Sequence, residues 1–303
     1  MYPTRVSCEN NIFETMYKMP YRNAIEEGPK DSVTILLPGL NGGGLELGQL
    51  PNFLNLNGFD TVIPDIKGYL YGTPVDNYEA WISQVHNAID ELKTKYKTIN
   101  LAGISMGATL ALAVASQRID ISSIALLSPV LRYDGWSVPW YRFLLDIAYN
   151  FGVRNWEYSE REPFGIKNPD LRRRVKDKFK AQEISEVGAP LITARHLHEA
   201  KGLMSYVTSS LDAITSRLLI VQSVEDDTCS VWSAEKILSD TKSDLRRVIW
   251  LGNSYHIVTI DNEREIVLNE VLRFFTRAAG GNLGLETYYS DKTPKPLKTR
   301  APQ

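Results

Sequence analysis

A serine between two glycines is the residue of this chain best placed for nucleophilic chemistry. It stands in the pentapeptide Gly103-Ile104-Ser105-Met106-Gly107, after an apolar run (Thr98 to Ala102) and before a run of small helix-forming residues (Ala108 to Ala115). Gly-x-Ser-x-Gly also occurs by chance in loops, but a strand before it and a helix after it favour a sharp turn that exposes the serine hydroxyl at the top of a sheet. We therefore predict that Ser105 is a nucleophile in a strained backbone conformation, with glycines that let strand and helix approach closely.

A serine nucleophile needs a base, and the chain has four histidines to offer: His86, His196, His198 and His256. His86 lies in a predicted helix and is expected on its surface. His196 and His198 fall in a long insertion, where they line the mouth of a site or face water. His256 follows the last predicted strand through a short loop, which places it at the sheet edge of Ser105 in the chain order Ser, acid, His. We predict that His256 is the base.

The acid that orients this histidine should follow the penultimate strand, where Glu225, Asp226 and Asp227 compete for the position. We choose Asp226 and expect the other two carboxylates to be solvated. Cys229 lies close by in sequence, but no partner is evident that would activate its thiol, so we predict a small packing residue.

Attack on an acyl carbon builds negative charge on oxygen, which preorganised amide donors stabilise by roughly two to four kcal/mol each. We predict two backbone donors: the amide of Met106 at the start of the helix, and that of Leu40 in the turn after the first strand. The segment Asn41-Gly42-Gly43-Gly44 leaves room around a carbonyl there. A phosphate-binding loop is disfavoured, because no Gly-Lys-Ser/Thr follows the glycines.

The elements that must position these residues alternate between short β-branched runs and amphipathic stretches. This pattern predicts an α/β fold with a mostly parallel central sheet flanked by helices. The predicted strands are Ser32 to Leu37, Thr61 to Pro64, Thr98 to Ala102, Ile124 to Leu127, Arg217 to Gln222 and Arg247 to Leu251. The predicted helices are Leu47 to Asn57, Glu79 to Lys95, Ala108 to Ser116, Ser233 to Leu238 and Glu263 to Arg277.

One long stretch interrupts the alternation, because residues 131–204 are dense in aromatic side chains and show no clear sheet strand. We predict a helical cap over this stretch, a hydrolase-like core from 1–130 and 205–279, and a flexible tail over 280–303. The first thirty residues are expected to form an edge hairpin, and Pro169 to Ile184 a basic helix whose charges face solvent. Most cap aromatics should form a small core, while Trp136 and Trp140 are predicted to contact substrate.

Composition excludes several classes of partner. The chain has 303 residues, 43% apolar and 23% charged, with a net charge of −2 and two cysteines. This balance gives no electrostatic reason to expect nucleic acid, and no segment is apolar for long enough to span a membrane. Two cysteines are too few for a disulfide framework, so we expect reduced thiols and a cytoplasmic setting. Oligomeric state cannot be derived from these features.

These residues resemble the α/β-hydrolase superfamily, and within it the serine hydrolases of the bacterial carboxylesterase and monoacylglycerol lipase branch. The similarity lies in four segments: Leu36 to Leu40, Gly103 to Gly107, Val221 to Asp226, and Ser254-Tyr255-His256-Ile257-Val258-Thr259-Ile260-Asp261. The resemblance implies the roles assigned above to Ser105, Asp226, His256, Leu40 and Met106.

The chain departs from that family's pattern at two positions. Relatives carry His-Gly after the first parallel strand, whereas Pro38 precedes Gly39 here. A hydrogen bond that braces the oxyanion turn is therefore expected to be missing, with proline rigidity in its place. The second departure is Tyr255, a bulky ring beside the base, which is predicted to narrow the site and contact substrate.

The predicted function is that of a serine esterase that cleaves esters of apolar acyl chains through an acyl-enzyme on Ser105, with a small-molecule ester or thioester as substrate. This chemistry needs no metal and no organic cofactor. Two alternatives remain open. The same residues could serve a thioesterase or acyltransferase acting on carrier-bound or natural-product acyl chains, or the fold could bind a small molecule without catalysis.

Overall fold

The computed structural model describes residues 31–70, 74–138, 149, 151–152, 156–181 and 183–279. The predicted N-terminal hairpin, the predicted C-terminal tail and Trp140 lie outside these residues. The described strands are β1 (Ser32–Leu37), β2 (Asp60–Val62), β3 (Thr98–Ile104), β4 (Ser123–Leu127), β5 (Glu157–Ser159), β6 (Leu191–Thr193), β7 (Arg217–Ser223) and β8 (Arg246–Leu251). The described α-helices are α1 (Leu50–Leu56), α2 (Tyr78–Leu92), α3 (Met106–Ser116), α4 (Pro169–Lys180), α5 (Ala194–Ser210), α6 (Trp232–Asp240) and α7 (Arg264–Ala278).

Six of these strands form one sheet in the order β2-β1-β3-β4-β7-β8. Each neighbouring pair in it is parallel. Parallel neighbours place their carboxyl ends at one edge, so the loops after β1, β3, β7 and β8 converge there. The predicted α/β fold with a mostly parallel, helix-flanked sheet is confirmed.

The two faces of the sheet are covered by different helices. Alternate residues of a strand point to opposite faces, and in β1 both sets are buried, although the set that contains Leu36 also contains the polar side chains of Ser32 and Thr34. Val33 and Ile35 join the core formed with α2, α3 and α5. Leu36 joins the core formed with α1 and α7. Burial of both faces explains why the last three residues of β1 are all apolar.

The first helix begins later than its apolar spacing predicts. Gly44–Leu47 forms a separate 3-10 turn, and α1 starts at Leu50. Gly48 between them adopts φ +55°, and a Cβ there would lie 2.8 Å from the Thr259 carbonyl oxygen. The chain therefore bends at a position that only glycine occupies without strain.

The insertion after β4 contains a structure that the sequence pattern did not reveal. β5 and β6 pair antiparallel in a small ribbon separate from the main sheet. Each ribbon strand has three residues without a fully buried face, so no apolar alternation marks them. The predicted basic helix is present as α4, capped by Asn168, and its basic side chains flank a buried stripe of Leu171 and Val175.

Helix α5 runs across the predicted cap boundary at 204. Its residues Ala200, Leu203 and Val207 are buried in the core beside α2 and α3. The cap and core segments are thus joined by one continuous helix. Among the helices of the described ranges, none combines the length and apolarity that crossing a bilayer would require.

Candidate active site

Ser105, His256 and Asp226 form one hydrogen-bonded chain at the carboxyl edge of the sheet. Ser105 Oγ lies 2.8 Å from His256 Nε2. His256 Nδ1 lies 2.8 Å from Asp226 Oδ2 and 3.0 Å from Oδ1. An ionised carboxylate only accepts, so Nδ1 carries the proton and Nε2 accepts from the serine hydroxyl. This is the arrangement that general-base activation of a nucleophile requires.

The turn between β3 and α3 holds Ser105 in a conformation that L-residues rarely adopt, with φ +56°. Close backbone contacts enforce it. A Cβ on Gly103 would lie 2.3 Å from the Gly107 carbonyl oxygen, and one on Gly107 would lie 2.1 Å from the Leu37 carbonyl oxygen. The predicted strain at Ser105 and the predicted close approach through glycines are both confirmed.

Asp226 is buried and saturated with donors. Oδ1 accepts the amides of Thr228 and Cys229 at 2.8 and 3.0 Å, and Oδ2 accepts from Gln222 Nε2 at 2.9 Å. The carboxylate is only 4% exposed. Two loop amides and the Gln222 side chain of β7 together fix the position of this carboxylate against His256.

The other two acids of this loop differ from each other. Glu225 is exposed and pairs with Lys167, as expected of a solvated carboxylate. Asp227 is 2% exposed, so the expectation that it is solvated was wrong. Its Oδ2 accepts the Gly165 amide at 3.2 Å. Burial raises its pKa, and repulsion by Asp226 raises it further. Gly165 of the insertion after β4 contacts this side chain, and such a contact between distant segments cannot be predicted from the loop alone.

Cys229 is fully buried, which confirms the predicted packing role, but it does have polar neighbours. Its Sγ lies 3.5 Å from Asp226 Oδ2 and 3.9 Å from His256 Nδ1. Burial raises the pKa of this thiol well above its ordinary value, so it stays protonated and donates weakly. These three side chains also offer ligand atoms within 4.8 Å of one another, the one such metal-ligand group among the described residues. Their hydrogen bonds to one another account for that proximity.

His256 sits in a strongly acidic environment. Burial alone would lower its pKa, but the Asp226 carboxylate opposes this through charge and hydrogen bonding, and Asp227 and Glu46 add to the attraction. The net effect is a raised pKa. The imidazolium that forms when the base takes the Ser105 proton is therefore stabilised by its surroundings.

The amides of Leu40 and Met106 are free to bind a ligand oxygen. Within the described ranges neither donates to another protein group, although the neighbouring Asn41 amide donates to the Tyr69 carbonyl at 3.0 Å. The turn that carries Leu40 lies close to the segment of Ser105 and Met106, because a Cβ on Gly107 would lie 2.3 Å from the Pro38 carbonyl oxygen. Two unpaired amides beside a nucleophile form the arrangement expected of an oxyanion hole.

The turn that carries Leu40 is braced, contrary to the expectation drawn from Pro38. The Gly39 amide donates to Glu46 Oε2 at 2.6 Å. The Tyr69 hydroxyl donates to the Pro38 carbonyl at 2.8 Å. A buried carboxyl and a buried phenol thus supply hydrogen bonds that proline rigidity was expected to replace.

Glu46 is an acid in an apolar and glycine-rich environment, and only 4% of it is exposed. Burial raises its pKa to about 7, although the Gly39 hydrogen bond and attraction by His256 oppose the rise. Its signal in the sequence is a single acid inside the run Leu45 to Leu50, where every other residue is apolar or uncharged. Such a lone acid also fits an exposed position, so sequence reasoning passed over it.

Asp261 is a second functional residue that sequence reasoning did not assign. Its buried carboxylate accepts the amides of Tyr255 at 2.8 Å, Lys167 at 2.7 Å and Asn168 at 2.9 Å. The loop that carries His256 is thereby tied to the start of α4. The signal available was the position of Asp261 in the segment shared with known serine hydrolases.

Trp136 and Tyr255 lie side by side, with ring centroids 5.4 Å apart in an edge-on arrangement. Trp136 is 61% exposed, and its Nε1 donates to the Glu225 carbonyl at 3.1 Å. Tyr255 also lies near the cations of Lys167 and Arg172. Both rings flank the loops of Asp226 and His256, and their predicted contact with substrate stays a prediction.

The remaining histidines do not join Ser105. His86 is half-buried on α2 and pairs with Gln117 at 2.9 Å. His198 is exposed and stacks on Tyr149 at 4.2 Å. His196 is 4% exposed, so the prediction that it faces water was wrong. Burial lowers its pKa to about 4, so it is neutral.

His198 also lines a cavity of about 940 Å³ beside α5. None of Ser105, His256 and Asp226 is among the residues that line this cavity.

Comparison with known proteins supports the same family. A family described as serine aminopeptidase, S33 matches residues 28–264. A thermostable monoacylglycerol lipase of Bacillus sp. (strain H-257) is 26% identical over 84% of this chain and 94% of its own length. A carboxylesterase of Bacillus subtilis (strain 168) is 24% identical over 82% of this chain and 93% of its own.

Solved structures share the fold. The monoacylglycerol lipase of Paleococcus ferrophilus superposes with a TM-score of 0.70 at 17% identity, over 83% of this chain and 96% of that one. A structure from work on the metagenome-derived lipolytic enzymes LipS and LipT gives a TM-score of 0.68 at 21% identity, over 83% and 95%. Because the family match spans most of the chain and the folds agree, this protein belongs to the serine aminopeptidase S33 family and is an α/β-hydrolase of the lipase and esterase type.

Proposed function

We propose that this protein hydrolyses carboxylic esters of apolar acyl chains through an acyl-enzyme on Ser105. The observation that carries the proposal is the continuous hydrogen-bonded chain from Ser105 Oγ through His256 to Asp226, all within 2.8 to 3.0 Å. The names of the Bacillus relatives, a monoacylglycerol lipase and a carboxylesterase, agree with an ester as substrate.

In the first half-reaction, His256 Nε2 takes the Ser105 proton as Oγ forms a bond to the acyl carbon. The carbonyl electron pair moves to oxygen, and the amides of Leu40 and Met106 donate to that oxyanion. When the tetrahedral intermediate collapses, the imidazolium gives its proton to the leaving alcohol oxygen. The carbon–oxygen bond breaks, the alcohol departs, and the acyl group remains on Ser105.

The second half-reaction repeats these steps with water. His256 accepts a proton from water as its oxygen attacks the acyl-enzyme, and the same two amides hold the oxyanion. Collapse releases the carboxylic acid and returns the proton to Ser105 Oγ. Asp226 accepts the hydrogen bond from His256 Nδ1 and keeps the ring oriented throughout.

The cap supports an apolar acyl group as the preferred substrate. We infer that the part of the insertion around Gly165 covers the Ser105 edge of the sheet, because a Cβ on Gly165 would lie 3.2 Å from the His256 Cβ. Trp136 leaves a large apolar surface exposed beside that loop. Exposed aromatic surface next to a reactive group favours medium or long acyl chains.

The test is hydrolysis of p-nitrophenyl esters from acetate to palmitate by wild type and by Ser105→Ala, with Ser209→Ala as control. Ser209 is an exposed serine on α5, remote from the described chemistry. We expect turnover by wild type and by the control, no turnover by Ser105→Ala, and unchanged thermal unfolding of all three.

Turnover retained by Ser105→Ala would refute the assignment of the nucleophile. A preference for acetate would refute the apolar acyl pocket alone. If wild type cleaves no ester, acyl thioesters with and without an added alcohol separate a thioesterase from an acyltransferase, and tight binding without turnover identifies a binding protein.

A further inference from the structure

The Glu46 carboxyl lies directly beneath the turn that carries the Leu40 amide. Its Oε2 accepts the Gly39 N–H at 2.6 Å. The Gly39 carbonyl in turn accepts the Gly42 amide at 3.2 Å. Gly39 is therefore held on both sides, through its N–H and through its C=O.

The anchored Gly39 carbonyl decides where the Leu40 N–H points, and the anchored Gly39 N–H fixes the peptide unit before it. The Gly39 carbonyl and the Leu40 N–H belong to one planar peptide unit and point in opposite directions. Since Gly42 holds the carbonyl on one side, the Leu40 N–H faces the other side. The next amide, of Asn41, is bound to the Tyr69 carbonyl, and Asn41 adopts φ +56°. The Leu40 N–H is thus left unpaired within a turn whose neighbours are fixed.

The chain leaves space for the carboxyl at three separate places. A Cβ on Gly39 would lie 2.6 Å from Glu46 Oε2, and one on Gly42 would lie 2.1 Å from Oε1. A Cβ on Gly188, which belongs to the insertion, would lie 2.9 Å from Oε1. Two of these glycines have ordinary backbone angles, so their lack of a side chain reflects contact with Glu46 and not conformational need.

Glu46 also connects this turn to the base. Its backbone carbonyl accepts the Thr259 hydroxyl, three residues after His256. Its side chain is close enough to His256 and Glu160 for their charges to act on it. The turn, the loop of the base and the insertion therefore meet at one buried residue.

We propose that Glu46 is a positioning residue, which holds the N–H of Gly39 and so restrains the adjoining Gly39–Leu40 peptide with its Leu40 N–H aimed at the oxyanion. This inference rests on the ester hydrolysis proposed above. Without the carboxyl, Gly39 stands in a segment with three further glycines at 42, 43 and 44, which restrain the backbone least of all residues. The donor would then point at the oxyanion for only part of the time.

The first test compares Glu46→Ala with Glu46→Gln, because the glutamine side-chain oxygen can still accept the Gly39 N–H. Removal of one oxyanion donor costs about 100- to 1000-fold in kcat, so a mispositioned donor should cost roughly 10- to 100-fold. We expect that loss in Glu46→Ala with KM within about 3-fold, and recovery in Glu46→Gln to within about 5-fold of wild type. Glu235→Ala, at an exposed glutamate of α6, is the matched control.

The second test reports on the oxyanion itself. An alkyl trifluoromethyl ketone forms a tetrahedral adduct with a serine nucleophile, and its inhibition constant should rise in Glu46→Ala by about the factor lost from kcat/KM. Gly42→Ala should reduce kcat in wild type, because its methyl group would collide with Oε1. It should cost little more in the Glu46→Ala background, where that atom is absent.

Active-site titration and thermal unfolding separate this role from loss of folding, since kcat is expressed per functional site. The proposal is overturned if Glu46→Ala keeps wild-type kcat, or if its loss of activity disappears once kcat is expressed per titrated active site. It is also overturned if the trifluoromethyl ketone binds all variants equally. Failure of wild type to cleave esters would instead refute the proposed function, and so the two failures are distinguishable.

Discussion

Replacement of Glu46 by glutamine should remove a pH-dependent part of the protein's stability. The carboxyl is buried, and burial raises its pKa from 4.5 to about 7. The folded protein therefore holds this proton more tightly than the unfolded chain does. Stability from this group is fully present below pH 4.5 and is lost as pH rises through 7, because the ionised carboxyl is disfavoured where it is buried.

The size of the effect follows from the same two values. Each tenfold change in proton affinity is worth about 1.4 kcal/mol, so a pKa raised from 4.5 to about 7 corresponds to about 3 kcal/mol over the full range. Between pH 5 and pH 8, most of that range is crossed. We expect the free energy of unfolding of Glu46→Gln, relative to wild type, to increase by roughly 2 to 3 kcal/mol from pH 5 to pH 8.

The assay is urea unfolding of both proteins at half-unit steps of pH, followed by fluorescence. Other titrating groups, including His256 and the Glu160 carboxyl that faces Glu46, are common to both proteins and cancel to first order. The prediction concerns only how the difference in the free energy of unfolding between the two proteins changes with pH. Any effect of the glutamine side chain that does not depend on pH therefore cancels. Glu235→Gln, at an exposed glutamate, should track wild type throughout.

A difference that stays constant with pH would refute the assigned pKa of Glu46. A difference that shrinks as pH rises would refute the sign, because it would mean that the folded state favours the ionised carboxyl. Equal m-values for the two proteins are required for either conclusion, since a change in m reports a change in the states compared.

Two further substitutions test the geometry of the site. Asp226→Asn should lower kcat on the ester series by about 10⁴-fold, because the amide favours the wrong tautomer of His256. Asp227→Asn should lower kcat far less. Equal losses in the two variants would contradict the assignment of Asp226 as the acid. Gly107→Ala should unfold the protein or abolish turnover, because its methyl group would lie 2.1 Å from the Leu37 carbonyl oxygen; a folded and active variant, checked by thermal unfolding and ester hydrolysis, would contradict the close packing described.

Much of the fold could be predicted because its determinants are local. β1 and β3 are mostly apolar and buried, as parallel strands covered on both faces require. Residues Trp81, Val85 and Ile89 repeat at helical spacing and are buried in α2 as predicted. By contrast, the β5–β6 ribbon was missed, because three residues per strand carry too little pattern to distinguish a strand from a loop.

The site divides in the same way. The arrangement around Ser105 is local, since a strand, a glycine turn and a helix adjacent in sequence suffice to predict it. The burial of Asp227 depends on Gly165, which lies 62 positions away. The position after β7 leaves Glu225, Asp226 and Asp227 as candidates for the acid, whereas their different burial arises only where the insertion packs against that loop.

The sequence by itself determined the sheet, the glycine turn that carries Ser105, and the order in which Ser105, Asp226 and His256 follow their strands. The spacing of apolar residues and the residue types of turns act between near neighbours in the chain, so these features can be predicted locally. Tertiary structure alone decided the environment of Glu46, whose backbone meets Thr259 across 213 positions and whose carboxyl fits between three glycines. Burial, donor geometry and pKa depend on what surrounds a group in space. The surroundings of Glu46 are formed by segments far apart in the chain, so no local sequence pattern predicts them.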